Sequence, residues 1–236
     1  MILGEGGVKM SKSIGNVINP DDIVEVWGAD TLRLYEMFMG PFDQMVAWST
    51  DSIIGPRRFI ERVWNLSAKV SDDASRAIDP LLNALMQKTI KKIGDDIENM
   101  SFNTAVSSLM ILTNEMEKQE SVSRDSYLTL VRLLAPFVPH VTEELWQRMG
   151  GKESVHVQPW PQADMAGSTD VPVTVAVQVN GKTRTTITVT NGVEQPEVEQ
   201  AARAAVAAQL EGKMVKMTVY VKGRIVNFVL EGGGEE

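Results

Sequence analysis

The chain changes its hydrophobic period once. Up to about residue 150 apolar residues recur every three or four positions, and after residue 171 they alternate with polar ones. Residues 1–19 are rich in Gly, Ser and Asn and read as loop. Pro20-Asp21-Asp22 opens a short helix through Ile23, Val24 and Val26 to about Trp27, and Gly28 ends it. Asp30 or Thr31 is expected to cap a second helix, with Leu32, Leu34, Tyr35, Met37 and Phe38 on its apolar side, until Gly40-Pro41 stops it. A longer helix over 51–71 shows Phe59, Ile60, Val63, Trp64 and Leu66 at helical spacing. Asp79-Pro80 opens the next, Ser101 is expected to cap another, Ser123 or Asp125 a further one, and a short helix over about 140–149 ends at Gly150-Gly151. Four long amphipathic helices with short links predict a helical bundle.

The period-2 part follows a stretch broken by Pro159, Pro161 and Gly167-Ser168-Thr169. Val173, Val175, Val177 and Val179 alternate with Thr174, Ala176 and Gln178, and Asn180-Gly181 predicts a type I′ hairpin into a return strand over 182–189. An Ala-rich helix from Gln195 to about Leu210 precedes a second strand pair, 215–221 and 224–230, turning at Lys222-Gly223. The expected fold is therefore mainly α, a helical bundle followed by a small α+β domain of order β-β-α-β-β. The organisation reads as 1–50 loop and short helices, 51–150 bundle, 151–171 linker, 172–231 small α+β domain and 232–236 disordered tail.

Composition narrows the function classes. The 236 residues contain no cysteine, which removes disulfides, thiolate nucleophiles and Cys-based zinc sites, and no metal ligand set is expected. No apolar run reaches the length of a membrane span, and the first residues have neither a basic region nor an apolar core, so no membrane partner and a cytoplasmic location are expected. The net charge of −8 argues against nucleic-acid binding driven by overall charge. Residues 171–236, however, carry seven bases and seven acids, the bases lying mainly on strands and turns: Lys182, Arg184, Lys213, Lys216, Lys222 and Arg224. A neutral module of this kind can still present a basic face.

The sharpest chemical signal is Lys9-Met10-Ser11-Lys12-Ser13, followed by Ile14-Gly15-Asn16. Two mobile cations, two hydroxyls and exposed backbone N–H groups on a Gly-flanked loop can hold a polyphosphate. The run matches the KMSKS signature of class I aminoacyl-tRNA synthetases. A chance match of five fixed residues in a chain this long is roughly one in ten thousand. The resemblance extends through Gly28-Ala29-Asp30-Thr31-Leu32-Arg33-Leu34. Met39-Gly40-Pro41, Trp48-Ser49-Thr50, Arg58-Phe59-Ile60-Glu61-Arg62-Val63-Trp64, Ser101-Phe102-Asn103-Thr104-Ala105 and Pro136-Phe137-Val138-Pro139-His140 look like bacterial leucyl-tRNA synthetases in particular. So do Val177-Gln178-Val179-Asn180-Gly181-Lys182-Thr183-Arg184, Gly212-Lys213 and Val226-Asn227 in the closing domain. Ile14 departs from a usual lysine and Lys222 from a usual proline. The family's His-x-Gly-His motif is absent: the two histidines are His140 and His156, in Pro-His-Val and Val-His-Val.

The resemblance implies the C-terminal portion of such an enzyme, with an anticodon-binding-type bundle and a C-terminal tRNA-binding module. It implies ATP with Mg2+ on the signature loop, with Lys12 first and Lys9 second as catalytic cations and Met10, Ser11 and Ser13 completing the ATP-binding loop. Leucine tRNA is the implied partner, together with an N-terminal nucleotide-binding portion without which this chain is not expected to be active. Candidate tRNA contacts are Arg58 and Arg62, which alternatively form salt bridges with neighbouring acids, and Lys182, Arg184, Lys213, Lys216, Lys222 and Arg224. Lys88, Lys91 and Lys92 read as a solvated face, His140 as structural, Trp27, Trp64 and Trp146 as core, and Glu143-Glu144 as first-turn helix charges. The alternative reading is a free-standing, non-catalytic tRNA-binding module.

Overall fold

A computed structural model describes residues 2–72, 79–164, 172–190, 193–221 and 223–230. The chain divides into two compact units, Met1–Ala163 and Asp164–Glu236, so the division falls inside the Pro- and Gly-rich stretch.

The first unit is helical: α1 (Pro20–Trp27), α2 (Ala29–Phe38), α3 (Ile54–Leu66), α4 (Pro80–Glu98), α5 (Phe102–Lys118), α6 (Arg124–Leu134) and α7 (Pro139–Arg148). The starts follow capping chemistry. The Asn19 side chain accepts from Asp21 N ahead of Pro20, Asp79 accepts from Leu81 N at 3.0 Å ahead of Pro80, and the Ser123 hydroxyl accepts from Ser126 N at 3.2 Å. Three expectations are corrected. The helix expected over 51–71 is α3 alone, flanked by single 3-10 turns at 50–53 and 67–69. Ser101 stands at the cap of α5 but its hydroxyl makes no cap bond. Asp30 lies inside α2 rather than capping it, and Gly28 (φ 87°) both ends α1 and precedes α2.

The main core gathers the inner faces of α3 to α7, with Phe59, Val63, Ile93, Leu109, Leu112, Leu130, Leu134, Phe137 and Leu145 all at 2% exposure or less. Buried hydroxyls are satisfied within it: Tyr127 donates to Val63 O at 2.9 Å, and Thr113 and Thr142 bond back to carbonyls four residues earlier. Burial pushes the Tyr127 hydroxyl pKa well above its ordinary value. Trp146 is buried, whereas Trp27 and Trp64 are only half-buried, the latter beneath the Arg148 guanidinium at 4.6 Å. Gly151 passes so close to Trp146 that a Cβ there would sit 2.2 Å from the indole nitrogen, which is why the helix end needs a glycine. Trp160 packs against the same core.

A second, smaller cluster holds the chain's start. Leu32, Tyr35, Trp48 and Ile53 are buried, with Met10, Ile18, Ile23, Trp27 and Met39 packed on them. Short strands not anticipated from the sequence, β1 (Ile2–Leu3) and β2 (Val46–Ala47), pair in parallel beside it. A second such pair, β3 (Val70–Ser71) with β4 (Val122–Ser123), ties the end of α3 to the start of α6.

In the second unit β5 (Pro172–Val179), β6 (Lys182–Thr190), β7 (Val215–Val221) and β8 (Ile225–Leu230) form one sheet in the order β6-β5-β8-β7, with β5 and β8 parallel. The inward positions Val175, Val177, Val179, Val226, Phe228 and Leu230 are covered by Val198 and Ala202 of α8 (Gln195–Ala205), by Val206 and by Leu210. The expected single helix to Leu210 is broken at Val206 (φ −118°), leaving the short α9 (Ala207–Leu210). The Asn180-Gly181 turn has φ 51° and 77°, the type I′ geometry its sequence predicts. Lys222 and the 232–236 tail lie outside the described residues. Among the described residues no helix is long and apolar enough to cross a membrane.

Candidate functional site

The loop carrying Lys9 to Ser13 is built around two polar side chains. Asn16 Oδ1 accepts from Ser11 N at 2.9 Å, and Asn16 Nδ2 donates to Lys9 O at 3.2 Å, so one amide closes a ring of backbone. The Ser11 hydroxyl accepts from Ile14 N at 3.3 Å and lies 3.0 Å from the Ser13 hydroxyl. Ser11 O accepts from both Ile14 N and Gly15 N at 3.2 Å. Met10 turns inward and packs on the small cluster of Leu32, Tyr35 and Trp48, anchoring the loop to α2. Lys9, Lys12 and Ser13 are exposed. Among the described residues no carboxylate pairs with either lysine, and residues 6–20 contain no acidic side chain to neutralise them. The loop thus offers cations and donors without acceptors of negative charge, which is what a polyphosphate requires.

The chain before the loop is fastened to the segment after α2. Trp48 N donates to Leu3 O at 2.9 Å, and the Glu5 carboxylate accepts from Thr50 Oγ1 at 2.7 Å and Thr50 N at 3.3 Å. Those two bonds hold the Glu5 carboxyl below the ordinary glutamate range. Tyr35 OH donates to Ser49 O and accepts from Ser49 N, both at 3.0 Å, and its ring meets Trp48 edge-on at 4.9 Å.

Helix α2 in turn is fastened to the bundle. The Asp30 carboxylate, 6% exposed, accepts from Val141 N at 2.7 Å and His140 N at 3.3 Å, and His140 Nδ1 stands 2.7 Å from it. Asp30 is therefore the cap of α7, whose own cap position is Val138 with no side-chain bond. The structural reading of His140 finds its partner here. Arg33, one turn on, donates to Pro136 O at 2.9 Å. Sequence reasoning missed this role for Asp30; an acid directly after Gly-Ala in a helix start points to capping, but not to capping a helix more than a hundred residues away.

The bundle's candidate arginines separate. Arg58 is exposed and has no carboxylate partner among the described residues. Arg62 straps α3 to α5, donating to Glu117 and to Asn114, and its bond to Glu117 raises the guanidinium's pKa further. Arg57 pairs with Glu61 at 2.8 Å. Lys91 and Lys92 pair with Asp95 and Asp96 one turn on, leaving Lys88 exposed. Glu143 and Glu144 lie beyond the first turn of α7, so they are not dipole charges. Glu143 instead accepts from Ser154 Oγ at 2.8 Å and Val155 N at 3.0 Å, and Glu144 pairs with Arg148.

In the second unit the register explains where the bases stand. The pairing steps from Gln178–Thr183 to Val177–Thr185, so Arg184 is the extra residue of a bulge on β6. It steps likewise from Val215–Leu230 to Met217–Val229, so Lys216 is the extra residue on β7. These are the two edge strands, and both bulges lie toward the end of the sheet that also carries Lys182 and Lys213. Arg224 precedes β8 at the other end of the β7–β8 hairpin, where its carbonyl accepts from Ala176 N of β5 at 2.9 Å. The six candidate bases therefore do not form one cluster: Lys182 and Arg184 stand on one edge strand, Lys216 with Lys213 at the start of the other, about 14 Å across at ~4.8 Å per strand, Arg224 precedes β8, and Lys222 is not described. Arg203 of α8, unremarked in the sequence, lies over the Phe228 ring at 5.4 Å.

Residues 79–200 match the family profile of the anticodon-binding domain of tRNA ligases, and residues 1–49 match class I tRNA synthetases of the isoleucine, leucine, methionine and valine group. Among solved structures, the chain is similar to the leucyl-tRNA synthetase of Agrobacterium radiobacter K84 in a ternary complex with tRNA and LeuAMS. The two are 30% identical with a TM-score of 0.82 over 98% of this chain, which spans 32% of the length of that one.

Proposed function

Because this chain belongs to the tRNA ligase family, we propose that it supplies the signature loop and the tRNA-binding units of an ATP-dependent leucine–tRNA ligase. The observation that carries the reading is the linkage just described: one helix, α2, seats the loop through Met10 and grips the bundle through Asp30 and Arg33.

In leucine activation the amino acid carboxylate attacks the α-phosphorus of ATP and pyrophosphate leaves. Negative charge grows on the leaving group, so cations that meet it only as it develops lower the barrier selectively. Lys12 and Lys9 are the groups for that task, since they are exposed and unpaired by carboxylates among the described residues. Ser11 and Ser13, with Asn16, fix the backbone from which they reach. Magnesium would ride on the nucleotide's own phosphates, because among the described residues no three His, Asp or Glu side chains converge. On the tRNA side, Arg58 of α3, Lys182 and Arg184 of one edge strand of the closing sheet, and Lys213 and Lys216 at the other serve as phosphate contacts, which position RNA without reading sequence. Arg62 contributes only by exchanging Glu117 for a phosphate, and Arg224 stands at the other end of the β7–β8 hairpin.

The test is leucine-dependent ATP–pyrophosphate exchange with the chain alone and with the chain joined to the nucleotide-binding portion of a leucyl-tRNA synthetase. The chain alone is expected to be silent and the joined protein active, with Lys12→Ala lowering exchange by about a hundredfold or more, as removal of one transition-state donor does. Clear exchange by the chain alone, or a joined Lys12→Ala protein as active as its parent, overturns the reading. Silence of both with retained tRNA binding favours a non-catalytic tRNA-binding module.

A further inference from the structure

Where α1 ends, α2 begins and α3 and α7 pass, the first unit holds a cavity of about 260 Å³. Trp27, Ala29, Ile60 and Val141 make its walls apolar, while Arg57 and His140 bring polar groups to it. We propose that this cavity receives one unstacked nucleotide of the bound RNA, base inside and phosphate toward α3. The proposal rests on the tRNA-binding reading above and names a site within it.

Size and chemistry select the occupant. The cavity falls just below the usual range for drug-sized ligands, roughly 300–1,000 Å³, which suits one ring system with its sugar. Trp27 supplies an indole, half-buried against the small cluster and therefore held in place. Aromatic faces accept any base by stacking. Asp30 lines the cavity with its oxygens turned to His140 N, Val141 N and His140 Nδ1, so its acceptors are taken up by α7. A carboxylate only accepts, so the proton of that last contact sits on Nδ1, and Nε2 is the ring nitrogen left to meet a base edge or a ribose hydroxyl. The His140 side chain is 75% exposed, within reach of a ligand. Arg57 stands between Glu61 and Trp27 O, and exposed Arg58 follows it on the same helix. With a net charge of −8, this chain needs such local cationic points to hold RNA at all.

The experiment uses the full chain, a leucine tRNA and a six-nucleotide single strand of mixed sequence. Ala29→Phe fills the cavity from a half-buried position and Ala29→Ser leaves it open. Ala29→Phe is expected to weaken tRNA binding about fivefold or more, the loss of one stacked base. Ala29→Ser is expected to bind like the parent. Ultraviolet cross-linking of the short strand, mapped by peptide, is expected to mark residues 20–31 and 139–148 in the parent and not in Ala29→Phe. If the parent binds tRNA with a steep salt dependence while Ala29→Phe binds equally well, the nucleotide site is wrong and the tRNA reading stands. If the parent binds no tRNA, the tRNA reading fails. The cross-link of the short strand then decides the cavity alone: marks confined to those two segments uphold the site, and marks elsewhere or none overturn it.

Discussion

The Asp30 carboxylate of α2 closes the first turn of α7 by accepting from Val141 N, although the two residues lie 111 positions apart. A helix start leaves its first N–H groups without intrahelical partners, and here a buried acid from another helix satisfies two of them. The contact fixes the segment that carries the signature loop to the bundle.

Asp30→Ala should therefore destabilise the first unit by about 1–3 kcal/mol, the usual penalty for leaving buried donors unpaired. Urea unfolding followed by far-UV circular dichroism measures it. His140→Ala should lose less, because the imidazole is largely exposed and Asp30 keeps both backbone donors. Equal losses in the two variants would mean that the ring contact, not the cap, holds α7.

Asn180 does two jobs in the closing unit. It adopts φ 51° in the hairpin turn, and its side chain accepts from Leu230 N at 2.9 Å, while Asn227 Oδ1 accepts from Gly181 N at 3.0 Å. Asn180→Gly keeps the turn and loses the bond, whereas Asn180→Ala loses both. Alanine should thus cost more than glycine, by about 1 kcal/mol. Amide hydrogen exchange in β5 and β8 should report the difference, and the first unit should be unchanged.

Glu143 gives the bundle an acid-sensitive stitch. Bonds from Ser154 and Gln147, with smaller help from Val155 N and the charge of His156, hold its pKa below the ordinary value of 4.5. A lowered carboxylate pKa stabilises the fold above the unfolded value and ceases to do so as pH falls through the folded one. Glu143→Gln should melt below the parent at pH 7, and the gap should close as pH falls below the ordinary 4.5 and through the lowered folded value. A gap that widens in acid would contradict the assignment.

The two arginines of α3 should part company. Arg58→Ala should leave melting unchanged and lower the slope of tRNA affinity against salt by about one. Arg62→Ala should lower the melting temperature, since it frees Glu117 and Asn114 from the strap between α3 and α5. Filter binding over a salt series, paired with thermal melts, separates the outcomes.

Local pattern alone determined a good part of this protein. The 3.6 period placed the helices, Pro20 and Pro80 the first turns of two of them, and Asn180-Gly181 the hairpin, because each of these depends on residues within a few positions of one another. The signature loop was legible for the same reason: its charges, hydroxyls and the closing Asn16 lie within eight residues. What tertiary structure decided was the fate of side chains whose partners are remote. Asp30 reads as a local cap and serves α7, Glu143 reads as a dipole charge and holds Val155, and Arg62 reads like Arg58 until α5 brings Glu117 beside it. The bases of the closing unit divided for a related reason, since the strand order puts β6 and β7 at opposite edges of the sheet, and no single strand's alternation shows which strands it will lie beside. Periodicity assigns a face to each residue; only packing assigns it a neighbour, and the cavity beside Trp27 exists because four separate segments meet there.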